Sequence, residues 1–202
     1  MSKIDKMIEY GQKYLRVGLE GRKELVDYYN QNCVKLVPEN RRYFMSLNDN
    51  WCAMFMSVIA HKAGYSKRNF PYEVSVYFMA KMMQERGKYV EGFAGVKRGD
   101  MIVYDWNTGN RFNHIGIVVS KAGNQLNVLE GNYRGSVGVR TFTPYRGKVR
   151  GYIRLNSTSS ASDIDDLANA VIRGEYGNGD ERKVRLGNLY EKIQKRVNEL
   201  LK

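Results

Sequence analysis

The chain has 202 residues but only two cysteines and two histidines. That scarcity excludes a disulfide framework and, in this arrangement, a zinc site built from both residue types. A single Cys33–Cys52 bridge exists on paper, and a reducing compartment disfavours it. Long apolar runs are also missing: none approaches the roughly 18 residues of a membrane span. The opening stretch MSKIDKMIEYGQKYL carries a charge at every turn and has no apolar core, so no secretory signal peptide is expected. No internal repeat is visible.

Acidic residues are few as well. There are 21 Asp and Glu against 33 Lys and Arg, a net charge of +12. The excess is uneven: residues 1–155 hold 25 basic and 13 acidic side chains, whereas residues 156–202 hold 8 of each. The long basic part therefore calls for an anionic partner: nucleic acid, an acidic membrane, or a bacterial wall with its teichoic acids. Charge alone does not choose among them. The content of hydrophobic residues, 43%, with 12% aromatic, is enough for a packed core.

The stretch NSTSSAS, residues 156–162, is small and polar and marks a linker. Residues 1–155 form the expected large domain and 163–202 a small module. In the first half of the large domain the apolar spacing is helical. Ile4, Met7, Ile8 and Leu15 share a face of one helix, and Leu25, Tyr28 and Tyr29 suggest another. A third helix is expected over 51–63, with Asn50 as N-cap and Gly64 as stop, and a fourth over 73–86, closed by Gly87. The second half reads as short β-branched strands at 100–105, 114–120, 125–132, 137–142 and 149–155. Helices followed by an antiparallel meander is an α+β arrangement, with five to six strands. The module reads as three short helices, the second capped by Asp180 and the third carrying Leu189, Ile193, Val197 and Leu200 at helical spacing.

Cys52 sits in "NWCAMFM", in the expected first turn of an apolar helix, where free N–H groups and the helix dipole favour a thiolate. A nucleophilic thiol needs a base. His61 lies nine residues along the same helix, about 13 Å away, and cannot reach back. His114 is the remaining candidate. It opens the strand HIGIVVS, whose alternation puts His114, Gly116 and Val118 on one face, with Gly116 leaving room for a helix end. Glu130 and Asn132, two apart at the end of the next strand, can orient the imidazole. Helix-end thiol, strand imidazole and third polar residue make a papain-like arrangement.

The stretches NWCAMFMSVIAHKAG, KRGDMIVYDW, NHIGIVVS and LEGNY resemble, in order, the CHAP family of cysteine, histidine-dependent amidohydrolases/peptidases of phage lysins and bacterial wall enzymes. The resemblance spans roughly residues 20–155. It implies Cys52 as nucleophile, His114 as base, Glu130 with Asn132 as orienting residues (Glu130 the direct partner), and the Cys52 N–H as part of an oxyanion hole. The stretch SLNDNWC has a single acid, Asp49, too poor in oxygens for a dedicated calcium site, so no metal or cofactor is expected. The tail DLANAVIRGEYGNGDERKVRLG…YEKIQKRVNELL is similar to the Cpl-seven-type cell-wall-binding repeat of phage lysins. That similarity implies a muropeptide ligand, with Tyr176 against a sugar face, Asn178 in the GNG turn and Arg182 on a peptide carboxylate; Arg182 as a mere cap or surface charge is the alternative.

Together these resemblances imply a monomeric phage-type endolysin cutting a peptidoglycan amide, with the muramoyl–L-alanine amidase preferred to an endopeptidase. Its partners are peptidoglycan and, through the basic domain, anionic wall polymers, with no nucleic acid or membrane. It would be made in the host cytoplasm and released through a holin-type pore. Two other readings compete. A muramidase needs a carboxylate pair, and Glu130 has no evident acidic companion. A non-enzymatic basic binder of nucleic acid or wall polymer would leave the thiol merely buried.

Overall fold

The structure, a computed structural model, describes residues 1–107, 109, 111–144, 148–155 and 161–202, with backbone only at 161–163. Most of the expected linker, 156–160, lies outside the described residues, and 161–162 belong to a helix.

Helix α1 (Lys3–Gln12) starts with a capping box in which Ser2 and Asp5 exchange hydrogen bonds. It buries Ile4, Met7 and Ile8. Leu15 is not on this helix: it is exposed and bridges Val137 instead. Helix α2 (Leu19–Tyr28) runs into a π-turn over Tyr29–Cys33. Helix α3 (Cys52–Lys62) is buried at every position from Cys52 to Ala60. A helix apolar all round belongs in the middle of a fold, and α3 is packed by the other helices on one side and by the sheet on the other. Helix α4 (Val76–Glu85) is capped by the Ser75 side chain. Among the described residues no helix is long and apolar enough to cross a membrane.

The strands are β1 (Tyr89–Glu91), β2 (Met101–Tyr104), β3 (His114–Ala122), β4 (Gln125–Tyr133), β5 (Ser136–Phe142) and β6 (Val149–Ile153). They form one antiparallel sheet in the order β1-β6-β2-β3-β4-β5. The fold is therefore α+β with a six-stranded open sheet. Ile115, Ile117 and Leu129 face the helices, whereas Ile102, Tyr104, Val118, Val128 and Tyr152 build a second core on the opposite face.

The tail folds as α5 (Ala161–Ile172), α6 (Gly179–Leu186) and α7 (Tyr190–Leu200). Asn178, not Asp180, holds the cap position of α6, and Asp180 falls in its first turn. Ile164, Leu167, Val171, Leu186, Ile193 and Val197 close a small core that also takes in Ala94 of the large domain. The tail sits on the β1 edge of the sheet. The Glu91 N–H donates to Asn188 Oδ1 at 3.1 Å, and the N–H groups of Phe93 and Ala94 donate to the Arg185 carbonyl at 3.3 and 3.0 Å. Gly187 (φ +56°) and Gly92 (φ +78°) make this seat possible: a Cβ on Gly187 would fall 1.9 Å from the Glu91 carbonyl oxygen. An edge strand's unpaired backbone is thereby covered.

Candidate active site

The loop before α3 is pinned from several directions. Asn30 brackets Met45, donating to its carbonyl at 2.9 Å and accepting from its N–H at 2.8 Å. The Asp49 carboxylate closes a turn by accepting from the Ser46 N–H at 2.7 Å and from the Tyr43 hydroxyl at 3.2 Å. Arg22 donates to the Asp49 carbonyl at 2.9 Å and lies over the Trp51 ring, 5.5 Å from its centroid. Trp51 is fully buried and meets Phe55 edge-on at 6.2 Å.

Trp51 rather than Asn50 occupies the N-cap position of α3, and no side chain caps the helix. Cys52 is thus the first helical residue, 4% exposed, at the end where backbone N–H groups lack helical acceptors and the dipole favours an anion. Cys33, the other free thiol, is fully buried; burial pushes it up to about 12, so it stays protonated and inert.

His114 begins β3 and is 9% exposed. Its Nε2 lies 3.0 Å from Glu130 Oε2, which leaves Nδ1 available to Cys52, whose thiol is near enough to act on the imidazole's charge. Burial alone would lower the imidazole's pKa. Cys52 and Glu130 outweigh it, raising His114 from 6.5 to about 9. Glu130 is fully buried. Burial would raise its pKa, but the hydrogen bonds from His114 and Arg140 win and hold it below its usual value.

Gly116 does make room in the sheet, but for a different neighbour than a helix end. It pairs with Glu130 across the strands, and a Cβ there would lie 2.6 Å from Glu130 Cγ and 2.7 Å from Val128 Cγ1. The glycine that admits α3 is Gly131, where a Cβ would lie 2.5 Å from that of Phe55. Asn132 is not brought to the imidazole. The register shifts after Glu130, Asn132 takes φ +58°, and its Nδ2 donates to Asn50 Oδ1 at 3.1 Å. A bulge of this kind cancels the two-residue alternation that would put Asn132 beside Glu130.

The partner that the sequence did not announce is Arg140 on β5. Its Nε reaches Glu130 Oε1 at 2.9 Å and Oε2 at 3.1 Å, and its Nη2 reaches Oε2 at 3.0 Å. The guanidinium is held between Trp106 and Tyr133, 4.7 and 4.8 Å from their centroids. Trp106 in turn stacks on Tyr104 at 4.8 Å. The Tyr104 hydroxyl is buried facing the same carboxylate without a hydrogen-bond partner among the described residues, and burial together with the Glu130 charge raises its pKa well above its usual value. The result is a line from thiol to imidazole to carboxylate to guanidinium, with the imidazole able to hold a proton near neutrality. Such a line can deliver a nucleophile and a general acid to one carbonyl.

In the tail, the three residues expected to touch a ligand are engaged inside the protein. Arg182 donates to the Gly177 carbonyl at 3.0 Å, to Gln194 Oε1 at 3.2 Å and to Asn178 Oδ1 at 2.8 Å, stitching the turn before α6 to α7. Tyr176 is half-buried and packs against the tail core.

Residues 165–201 match the CW_7 repeat, which supports a cell-wall-binding component in this chain and a partner in bacterial cell-wall material. No curated protein matches the chain.

Proposed function

We propose that the protein is a peptidoglycan hydrolase of the phage-endolysin type, with a papain-like CHAP domain that cuts an amide and a C-terminal repeat that holds it on the wall. The observation that carries this reading is the Cys52–His114–Glu130 line lying in the same chain as a CW_7 repeat. The Cys52 thiolate attacks the substrate carbonyl, and the Cys52 N–H at the start of α3 receives the developing oxyanion. The imidazolium of His114 gives its proton to the leaving amine as the C–N bond breaks, leaving a thioester on Cys52. Neutral His114 then takes a proton from water, whose oxygen attacks the thioester. The acid product leaves and the thiolate–imidazolium pair is restored.

Glu130 orients the ring and favours its charged form, and Arg140 keeps Glu130 ionised. That ionised state also argues against the muramidase alternative, because a glycosidase needs a protonated carboxylic acid and a second carboxylate, whereas Glu130 is flanked by an imidazole and a guanidinium. The basic domain adds attraction to anionic wall polymers. The enzyme would act after release from the host cytoplasm through a holin-type pore.

The test is mass spectrometry of purified walls after digestion, with Cys52→Ala as control. New L-alanine N-termini identify an amidase and other new amines an endopeptidase. New reducing sugar ends, or products that persist with Cys52→Ala, would overturn the reading.

A further inference from the structure

A cleft of about 430 Å³ lies at the end of α3 remote from Cys52. One wall is the segment 35–42, and the other is formed by residues 67, 68 and 72 with the end of α4. Val37 and Tyr72, 2% and 1% exposed, form its floor. The Tyr72 hydroxyl donates to the Tyr65 carbonyl at 2.6 Å, and its ring meets His61, in the last turn of α3, edge-on at 6.2 Å. Nine helical residues, about 13 Å, separate His61 from the thiol.

The rim carries Lys35 and Arg42 on one wall and Lys67, Arg68 and Arg86 on the other, all exposed, against the single acid Glu39. That is a local charge of +4 out of the chain's +12. Glu39 neutralises little of it, since its carboxylate lies 3.7 Å from Arg42 and is 89% exposed. Lys35, Lys67 and Arg68 make no side-chain hydrogen bond or ion pair among the described residues. The two arginines are aimed by backbone: Arg42 Nη2 donates to the Lys35 carbonyl at 3.5 Å and Arg86 Nη1 to the Arg68 carbonyl at 3.4 Å, which leaves most of each fork free. The dipole at the end of α3 is already met by Lys62 in its last turn, so the fold does not call for these charges. Their field reaches the floor: burial lowers the pKa of His61, and Lys35 and Lys62 lower it further. Five cations facing one another across a cleft repel, and an anion between them relieves the repulsion.

We propose that this cleft is a second binding site, remote from the thiol, for a phosphodiester-linked polyol polymer of the teichoic-acid class, its phosphates held by the arginine forks and the lysines on both walls. The proposal rests on the cell-wall reading above and turns a general attraction into a saturable site that can be filled while Cys52 works. The cleft favours this polymer over the other polyanions. The aromatic ring in its lining, Tyr72, is buried and offers no face for a nucleic-acid base to stack on. None of the exposed large apolar side chains lies in the lining, so nothing there enters a lipid surface.

The test uses the full chain carrying Cys52→Ala, titrated calorimetrically with soluble poly(glycerol phosphate) at physiological ionic strength, where the Debye length is about 8 Å and distant charges are screened. Lys67→Glu with Arg68→Glu reverses one wall, and Lys35→Glu reverses a charge on the other. All three side chains are exposed, so the thermal transition should stay in place. Lys6→Glu with Arg16→Glu makes the same change in net charge at exposed residues outside the cleft. The cleft pair is expected to weaken binding about tenfold or more and Lys35→Glu severalfold, with the outside pair costing less than about threefold. Equal weakening by the two pairs assigns binding to net charge and overturns the cleft. Absence of saturable binding by the parent overturns the polyol phosphate, and tighter binding of a DNA strand with the same number of phosphates overturns it in favour of nucleic acid. Saturating polymer should leave the rate at which iodoacetamide alkylates Cys52 of the native chain unchanged; protection of the thiol would overturn the remote site. None of these measurements needs a bond to be cut, so their failure is read apart from failure of the hydrolase reading, which the wall digest decides.

Discussion

Replacing Glu130 by Gln keeps the shape of the side chain and removes its charge, so it isolates what the buried carboxylate does to His114. In the native chain the imidazole is raised to about 9, with Cys52 the largest support and the bond to Glu130 next. A neighbouring carboxylate accounts for about one pH unit or more of such a shift, equivalent to about 1.4 kcal/mol favouring the imidazolium. In Glu130→Gln that support is gone, and Arg140 is left as an uncompensated cation beside the ring, which acts in the same direction. On the proposed function, the alkaline limb of the pH–rate profile on purified walls, expected near pH 9 for the native chain, should therefore move down by about one unit or more. The change should also cost about 2 kcal/mol of stability, since the charge-assisted bonds of Arg140 become neutral ones. The rate should be measured from pH 6 to 10 under conditions where both proteins remain folded, alongside unfolding by urea. An alkaline limb that stays in place or moves up would refute the assignment of Glu130 as the group that holds the imidazole charged.

Four further outcomes are expected. Iodoacetamide should modify Cys52 and abolish wall digestion while leaving Cys33 unlabelled in the folded protein, since Cys33 is fully buried and pushed up to about 12; labelling of Cys33 at a comparable rate, read by peptide mass mapping, would contradict this. The His114–Glu130 pair should make stability depend on pH in two directions. The His114 contribution is complete below about 6.5 and fades as pH rises through about 9, and the Glu130 contribution, from a lowered pKa, fades as pH falls below the usual carboxylate range; denaturation midpoints from pH 3 to 10 should show the fall on both sides. Gly187→Ala should lose about 1–3 kcal/mol, because a side chain is forced into a positive-φ conformation against the Glu91 carbonyl, and limited proteolysis should then release the tail more readily. Arg182→Ala should lower the thermal transition of the tail, since it removes three hydrogen bonds, one to Gln194 on α7 and two to the turn before α6; a transition identical to the parent's would show that these bonds do not hold the repeat together.

The parts of the site readable in the sequence were those set by local rules. Cys52 follows from an apolar run beginning beside it, His114 from being the one histidine able to reach the thiol, and Glu130 from belonging, with Asn132, to a polar pair that ends the apolar strand next to that of His114. Arg140 was not readable. An arginine in the alternating stretch VGVRTF has the look of a solvent-facing residue, and only the pairing of β4 with β5 brings it to Glu130. Asn132 misled because the face rule assumes an unbroken pleat, and a bulge interrupts β4 just there. The five longer strands were visible as β-branched runs, but β1 was missed: three residues are too few to show a period, and β6 defines it. The docking of the tail was hidden for a related reason. Gly92 and Gly187 read as ordinary turn glycines until their backbones are seen against each other.

The Gly92–Gly187 contact also bears on how the protein would travel over its substrate. Two functions joined by a slack tether sample a sphere of targets, and the tether's length sets how often they meet. On the proposed function, grip and blade would be joined like the legs of a locked compass, so from one foothold the reachable bonds would lie on a fixed radius. Once those are cut, progress requires letting go. On an intact wall the working rate would then follow the lifetime of the foothold, and strengthening the grip beyond a modest affinity would slow the work.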